Sequence, residues 1–154
     1  MNFQFTEEQT LIQDMARGFA QSELAPHSIR WDEEKHLDRA VFTKAAALGF
    51  CGIYTSETHG GTGLSRLNSA IVFEQLAKGD VSHTAMLTIH NMATWMIDTY
   101  GSDELCGRLV PQLTAGEFIA SYCLTEPGAG SDAASLSTKA VKDGDSYILS
   151  LIHI

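Results

Sequence analysis

The sequence is poor in proline, cysteine and positive charge, and it contains no long apolar run. With 3 prolines and 3 cysteines in 154 residues, it can form neither a proline-rich extended region nor a dense disulfide framework. Cys51, Cys106 and Cys123 lie far apart. None belongs to a CxxC or Cys/His spacing, so no metal site is expected, and all three read as buried free thiols in a reducing compartment. Ten basic residues stand against nineteen acidic ones, for a net charge of −9. The excess is even along the chain, with 5 basic and 9 acidic residues before Gly60 and 5 and 10 after it. There is no basic patch, which argues against a nucleic acid or an anionic membrane surface as partner. An anionic ligand would have to be held by local donors. No segment approaches the ~18 apolar residues of a membrane span. The opening Met1-Asn2-Phe3-Gln4-Phe5-Thr6-Glu7-Glu8 has no basic region ahead of an apolar block, so no targeting segment is expected. What remains is a chain with 44% hydrophobic and 19% charged residues, long enough to bury ~68–70% of its unfolded surface.

The first two thirds read as helices. Thr6-Glu7-Glu8-Gln9 has the form of a capping box, and Leu11, Ile12, Met15, Ala16 and Phe19 follow at three- and four-residue spacing. Pro26 should end or bend this helix. Asp38 is placed to cap a second, with Val41, Phe42, Ala45 and Leu48 on one face and Gly49 as its stop. Between the two, Asp32, Glu33 and Glu34 read as a solvated face. A loop at residues 56–63 precedes a third helix near 65–78, with Leu67, Ile71 and Leu76 periodic. Ser82 opens a fourth that Gly101 closes. A fifth starts at Ser102-Asp103-Glu104, its acids at the positive end of the helix dipole, and Pro111 should disrupt its end. After Gly116 the composition changes: residues 118–124 have strand character, and Lys142-Asp143-Gly144-Asp145 carries a hairpin signal between residues 135–141 and Tyr147-Ile148-Leu149. The fold class expected is therefore an all-α N-terminal domain, residues 1–116, followed by the first strands of a truncated β domain, residues 117–148. Residues 149–154 run on without a turn and match one reading frame of a sequencing adapter, so they are expected to be a non-native tail.

Chemistry is concentrated in Ser121-Tyr122-Cys123-Leu124-Thr125-Glu126-Pro127-Gly128-Ala129-Gly130-Ser131-Asp132. Here a strand-like run enters a turn with two glycines. If Gly128 and Gly130 take positive φ, consecutive N–H groups can form an anion-binding nest, with the Thr125 and Ser131 hydroxyls adding uncharged donors. The pattern GxGxxA also fits, but Pro127 precedes the first glycine and no helix is expected after it, so a dinucleotide fold is rejected. His83 and His90 are seven apart on one helix, ~10 Å along its axis, too far for one metal ion, and they read as satisfied histidines, as do His27, His36 and His59. Met86, Met92, Trp95 and Met96 read as core. No serine or cysteine has a local partner that would make it a nucleophile.

The run from Tyr122 to Asp132 resembles the flavin-binding signature of the acyl-CoA dehydrogenases. Leu48-Gly49-Phe50, Gly60-Gly61-Thr62-Gly63-Leu64-Ser65 and Tyr100-Gly101-Ser102 resemble landmarks of that family's N-terminal domain, in the same order. Gly63-Leu64-Ser65-Arg66-Leu67, Ile89-His90-Asn91-Met92 and Trp95-Met96-Ile97-Asp98 are most similar to the isobutyryl-CoA, short branched-chain type. The resemblance implies a helical domain, a middle β-barrel and a C-terminal helical bundle in a homotetramer, of which this chain would be an N-terminal fragment. It implies FAD as cofactor, an acyl-CoA as substrate, an electron-transfer flavoprotein as acceptor, and the cytoplasm (bacterial) or mitochondrial matrix (eukaryotic) as location. It assigns Tyr122, Cys123, Leu124, Thr125, Glu126, Pro127, Gly128, Ala129, Gly130 and Ser131 to the cofactor, with Thr125 on the flavin pyrimidine edge and Ser131 also near the bound CoA. It places the start of the long helix, at Thr84, Ala85, Met86 and Thr88, along the acyl chain. The catalytic base of the family type lies in the C-terminal bundle, so no catalytic residue is expected here and Glu126 is not a base. Alternatives with the same fold are a flavin acyl-CoA oxidase or nitroalkane-oxidising relative, and a non-catalytic helical adaptor.

Overall fold

The structure, a computed structural model, describes residues 4–150. Among them, six α-helices are followed by a two-stranded antiparallel sheet. The chain divides into two compact units, Met1–Tyr122 and Cys123–Ile154.

Helix α1, Glu7–Phe19, opens on the expected capping box. Thr6 Oγ1 accepts the Gln9 N–H at 3.1 Å and Gln9 Oε1 accepts the Thr6 N–H at 3.0 Å, so two of the orphan donors at the terminus are satisfied. Its buried stripe is Ile12, Ala16 and Phe19. Leu11 and Met15, expected in that stripe, are exposed. After Phe19 the helix widens into a π turn, Ala20–Leu24, closed by the Ala25 N–H donating to the Ala20 carbonyl. The wide turn keeps both Ala20 and Leu24 in the core.

Helix α2, Ser28–Glu34, has no counterpart in the sequence expectations. It buries only Trp31, and seven residues with one buried apolar side chain carry no periodic signal. Asp32, Glu33 and Glu34 are exposed along it. Helix α3, Arg39–Ala47, is capped by Asp38, whose carboxylate accepts the Ala40 N–H at 2.8 Å. It buries Val41, Phe42 and Ala45, leaves Leu48 exposed, and is stopped at Gly49, where φ is +78°.

Helix α4, Arg66–Gly79, is capped by Ser65. Ile71 and Leu76 are buried but Leu67 faces outward. Helix α5, Val81–Tyr100, starts one residue before the expected Ser82 because the Asp80 carboxylate takes the cap, accepting the His83 N–H at 2.7 Å. Helix α6, Asp103–Thr114, is capped by Ser102 and runs through Pro111, which does not end it. The proline removes one donor, and the last turn is held because Val110, Leu113 and Thr114 are buried. The core of this unit gathers Leu24, Phe42, Phe50, Ile53, Leu76 and Leu87.

In the second unit β1, Lys139–Asp143, pairs with β2, Ser146–Ser150, in the register Lys139↔Ser150 to Asp143↔Ser146. Gly144, φ +59°, makes the turn that the Asp-Gly signal predicts. Leu149 and Ser150, assigned from sequence to the tail, are paired in β2, and residues 151–154 lie outside the described residues. The strand expected at 118–124 does not form. A strand is defined by a hydrogen-bonded neighbour, and among the described residues that segment has none. Of the three cysteines expected to be buried, Cys51 and Cys106 are, whereas Cys123 is exposed, since it falls in this unpaired run.

Candidate functional site

The chain leaves the helical unit along a strap, residues 116–120, that is tied at several points. Gly116 has φ +72°, and a Cβ there would sit 2.7 Å from the Ala46 Cβ. Arg39 donates through one guanidinium nitrogen to the Gly116 carbonyl, 3.0 Å, and to the Glu117 carbonyl. The Glu117 and Phe118 N–H groups donate to the Gln112 carbonyl at 2.9 and 3.2 Å. The Ala120 N–H donates to His90 Nδ1 at 3.0 Å, and His90 Nε2 lies 3.1 Å from the Leu113 carbonyl.

Beyond the strap come the ten residues singled out in the sequence. Tyr122, Cys123 and Thr125 are exposed, Leu124 is partly buried, and none of them joins a sheet. Glu126 and Ala129 exchange backbone hydrogen bonds, both at 3.1 Å, closing a tight turn with Pro127 and Gly128 at its tip. Ala129 is buried. The positive-φ nest expected at Gly128 and Gly130 is not found, because neither glycine is in the left-handed region. Pro127 fixes the first tip torsion near −65°, and the turn closes through the Glu126–Ala129 pair without a left-handed residue. The two glycines are nevertheless open: a Cβ at either would meet nothing within 4 Å.

Glu126 is fully committed inside this unit. Its Oε2 accepts the Ser137 N–H and hydroxyl, both at 2.8 Å, and its Oε1 accepts the Thr138 N–H at 2.9 Å and the Thr138 hydroxyl. These donors, the Thr138 hydroxyl foremost, hold its carboxyl down at about 2. Asp132 likewise accepts the Ser135 hydroxyl. Among the described residues no hydrogen bond engages the Thr125 or Ser131 hydroxyls or the N–H groups of Gly128, Gly130 and Ser131. The segment's two carboxylates are therefore spent on nearby amides and hydroxyls, and a row of uncharged donors is left.

A model of the acyl-CoA dehydrogenase N-terminal domain matches residues 6–117. The chain belongs to the acyl-CoA dehydrogenase family. It is 55% identical over 144 residues to a mitochondrial isobutyryl-CoA dehydrogenase of Dictyostelium discoideum and 52% identical over 144 residues to that of Bos taurus. Each match takes in 94% of this chain and 35% of the relative, so the chain spans about a third of the length of the curated relatives it matches. A solved glutaryl-coenzyme A dehydrogenase in complex with glutaryl-CoA superposes with a TM-score of 0.88 at 32% identity, over 97% of this chain and 39% of that one. Acyl-CoA dehydrogenases are flavoprotein oxidoreductases, and the resemblance drawn from the residues 122–132 motif agrees with the family match made upstream of it.

Within this family frame, the segment expected along the acyl chain is partly withdrawn. Thr84 is buried and its hydroxyl donates to the Asp80 carbonyl at 2.6 Å. The Thr88 hydroxyl donates to the Ala85 carbonyl at 2.7 Å, and Met86 packs against the core. Met92, Trp95 and Met96 are only partly buried. His83, packed against Trp31 with ring centroids 4.2 Å apart and the planes tilted by 40°, has Nδ1 at 2.8 Å from Asp80 and Nε2 accepting the Asp38 N–H at 3.0 Å. His59 pairs with Asp98 at 2.6 Å. Among the described residues no cluster of three His, Cys, Asp or Glu side chains is placed to hold a metal ion. The sequence reading missed Arg39, Asn91 and the bracing role of Glu126. No local pattern marks them, because each reaches backbone 11 to 78 positions away, although Asn91 also bonds the Leu87 carbonyl within its own helix.

Proposed function

We propose that this chain forms the helical domain and the opening of the flavin-binding β domain of an FAD-dependent acyl-CoA dehydrogenase acting on a short, branched acyl-CoA of the isobutyryl type. The domain boundary is taken near residue 116, and the cofactor-facing residues are those from Tyr122 to Ser131. The observation that carries this reading is the donor inventory of that segment. Hydroxyls and amides remain for a ligand while the Glu126 and Asp132 carboxylates are taken up by Ser137, Thr138 and Ser135, which suits the carbonyl-rich pyrimidine edge and the pyrophosphate of FAD. The 55% identity to an isobutyryl-CoA dehydrogenase supports the acyl class.

When bound, FAD supplies the hydride acceptor for the hydrogen on the β carbon of the acyl chain, and an electron-transfer flavoprotein takes the electrons onward. The residues of this chain bind and orient. On this reading the Thr125 hydroxyl would meet the pyrimidine edge, and the Ser131 hydroxyl and neighbouring amides would meet phosphate oxygens and the CoA. Open Cα surfaces at Gly128 and Gly130 permit close approach. Glu126 moves no proton: a carboxylate held near 2 by four donors is a poor base at neutral pH. The α-proton base and the homotetramer belong to the rest of the enzyme, in the bacterial cytoplasm or the mitochondrial matrix.

The test is expression of the full-length protein, measuring its FAD content and acyl-CoA-driven dye reduction. Isobutyryl-CoA should be preferred, with ~10- to 200-fold changes in kcat/KM per methylene. Thr125→Ala should weaken FAD binding by ~0.5–1.5 kcal/mol. Faster turnover of long straight chains, or a flavin-free protein, would refute the reading.

A further inference from the structure

His90, on α5, holds the strap at Ala120, and both of its ring nitrogens are committed. An amide N–H can only donate, so the Ala120 N–H at 3.0 Å requires an unprotonated Nδ1. A carbonyl can only accept, so the Leu113 oxygen at 3.1 Å requires a proton on Nε2. One neutral tautomer meets both demands. The ring is fully buried and packs edge-on to Phe42 with centroids 4.9 Å apart, while the Arg39 guanidinium lies 5.5 Å above the same Phe42 ring. Burial holds the imidazole below the usual histidine range, the Leu113 and Cys51 carbonyls offset this in part, and Arg39 adds to the lowering. The ring thus stays neutral and works as a two-way hydrogen-bond bridge: it receives from the strap and gives to the end of α6.

The strap has other ties, but they come earlier. Arg39 holds the carbonyls of Gly116 and Glu117, and Gln112 holds the amides of Glu117 and Phe118. Ala120 is the last strap residue tied to the helical unit before Tyr122. Beyond it, backbone hydrogen bonding among the described residues resumes only at Glu126. Freeing the Ala120 amide would let the chain leave the helices along many paths, and ligand binding to residues 122–131 would then have to fix one of them.

We propose that His90 is a positioning residue for the flavin segment, its Nδ1 fixing the Ala120 amide and thereby the path on which the chain enters that segment. The proposal rests on the flavin reading given above. It assigns separate tasks to the two ring nitrogens, which a purely structural histidine would not have: the Nε2 bond closes α6, and the Nδ1 bond serves the cofactor.

Two substitutions divide these tasks. In His90→Asn the amide oxygen can occupy the place of Nδ1 and still accept the Ala120 N–H, and the Leu113 bond is lost. In His90→Gln the longer amide can still donate to Leu113, and the Ala120 bond is lost. In the full-length protein, both should lower the melting temperature. Only His90→Gln should raise the FAD dissociation constant, by ~2- to 12-fold, the equivalent of one hydrogen bond, and only it should speed hydrogen exchange at the Ala120 amide. FAD titration of the apoprotein and exchange mass spectrometry read the two effects. Equal FAD affinities in the two variants, or equal Ala120 exchange, in a protein that binds FAD would overturn the positioning role alone. A wild-type protein that binds no FAD would overturn the functional reading, and this proposal with it.

Discussion

Asn91 offers the sharpest stability test of how the helical unit is held. Its side chain is fully buried on α5 and makes three bonds, all to backbone. Oδ1 accepts the Ile53 N–H at 2.8 Å, and Nδ2 donates to the carbonyls of Phe50 at 2.7 Å and Leu87 at 2.8 Å. The Leu87 carbonyl also lies within reach of the helical N–H four residues on, so it is not orphaned by losing the amide. Phe50 O and Ile53 N–H would be, since both lie in a buried loop with no other partner. At ~1–3 kcal/mol per orphaned buried group, Asn91→Ala should cost roughly 2–6 kcal/mol. A water entering the polar gap would offset part of this, which puts the expectation near ~3 kcal/mol. Asn91→Asp keeps the acceptor for Ile53 but sets a carboxylate oxygen against two carbonyls. At neutral pH it should be worse than alanine, and it should recover as the pH falls and the buried acid takes up a proton. Denaturant unfolding together with hydrogen exchange at the Ile53 amide measures both. An alanine variant costing under ~1 kcal/mol, or an aspartate variant milder than alanine at pH 7, would refute the accounting.

Further outcomes follow from the same contacts. Because the Glu126 carboxyl is held at about 2 against an ordinary 4.5, its brace on Ser137 and Thr138 is fully present above pH 4.5 and is lost as the pH falls through 2. Protection of those two amides, taken relative to their intrinsic exchange rates, should fall over that window, and Glu126→Gln should remove this pH dependence of the protection. Gly116→Ala, at φ +72° with its Cβ 2.7 Å from that of Ala46, should destabilise by at least ~1–2 kcal/mol. Gly130→Ala meets open space and should change stability by no more than ~0.5 kcal/mol, so any loss of FAD in that variant reports on the ligand rather than the turn. Among the thiols, buried Cys51, pushed up to about 12 by desolvation, should be silent to thiol reagents in the native chain. Exposed Cys123 should react first, and a native Cys51 that labels as fast would contradict the burial.

Much of the helical unit is legible in the sequence because its signals are local. A capping box at Thr6, the caps at Asp38, Ser65 and Ser102, and the stop at Gly49 all operate within four residues. So does the Gly144 turn of the hairpin. Where the reading slipped, a longer-range interaction decided. Helix α2 exists for the sake of Trp31, whose burial against His83 comes from a residue 52 positions away. Pro111 stays inside α6 because Val110, Leu113 and Thr114 are buried around it. Residues 118–124 have strand composition, but a strand needs a neighbour, and none is present among the described residues.

The site divides the same way. The residues 122–131 motif is legible because its pattern is contiguous. The left-handed glycine nest expected there is not what the structure contains. The glycines serve as open surface, and the closure comes from a reciprocal backbone pair and from Glu126 reaching 11 and 12 residues ahead. His90 and Asn91 are adjacent in sequence and face opposite duties: one bridges α6 to the strap, the other holds the loop after α3. On a helical wheel they are simply two polar residues in a mostly apolar run, and periodicity would mark them as faults in the core stripe. The physical rule that identifies them is satisfaction of buried backbone groups. A loop and a strap that cross the helix away from regular structure leave N–H and C=O groups without partners, and polar side chains on the covering helix must supply them. Polar residues buried in such a run therefore mark where irregular backbone passes beneath, and here one of the two stretches, the strap, leads on to residues 122–131.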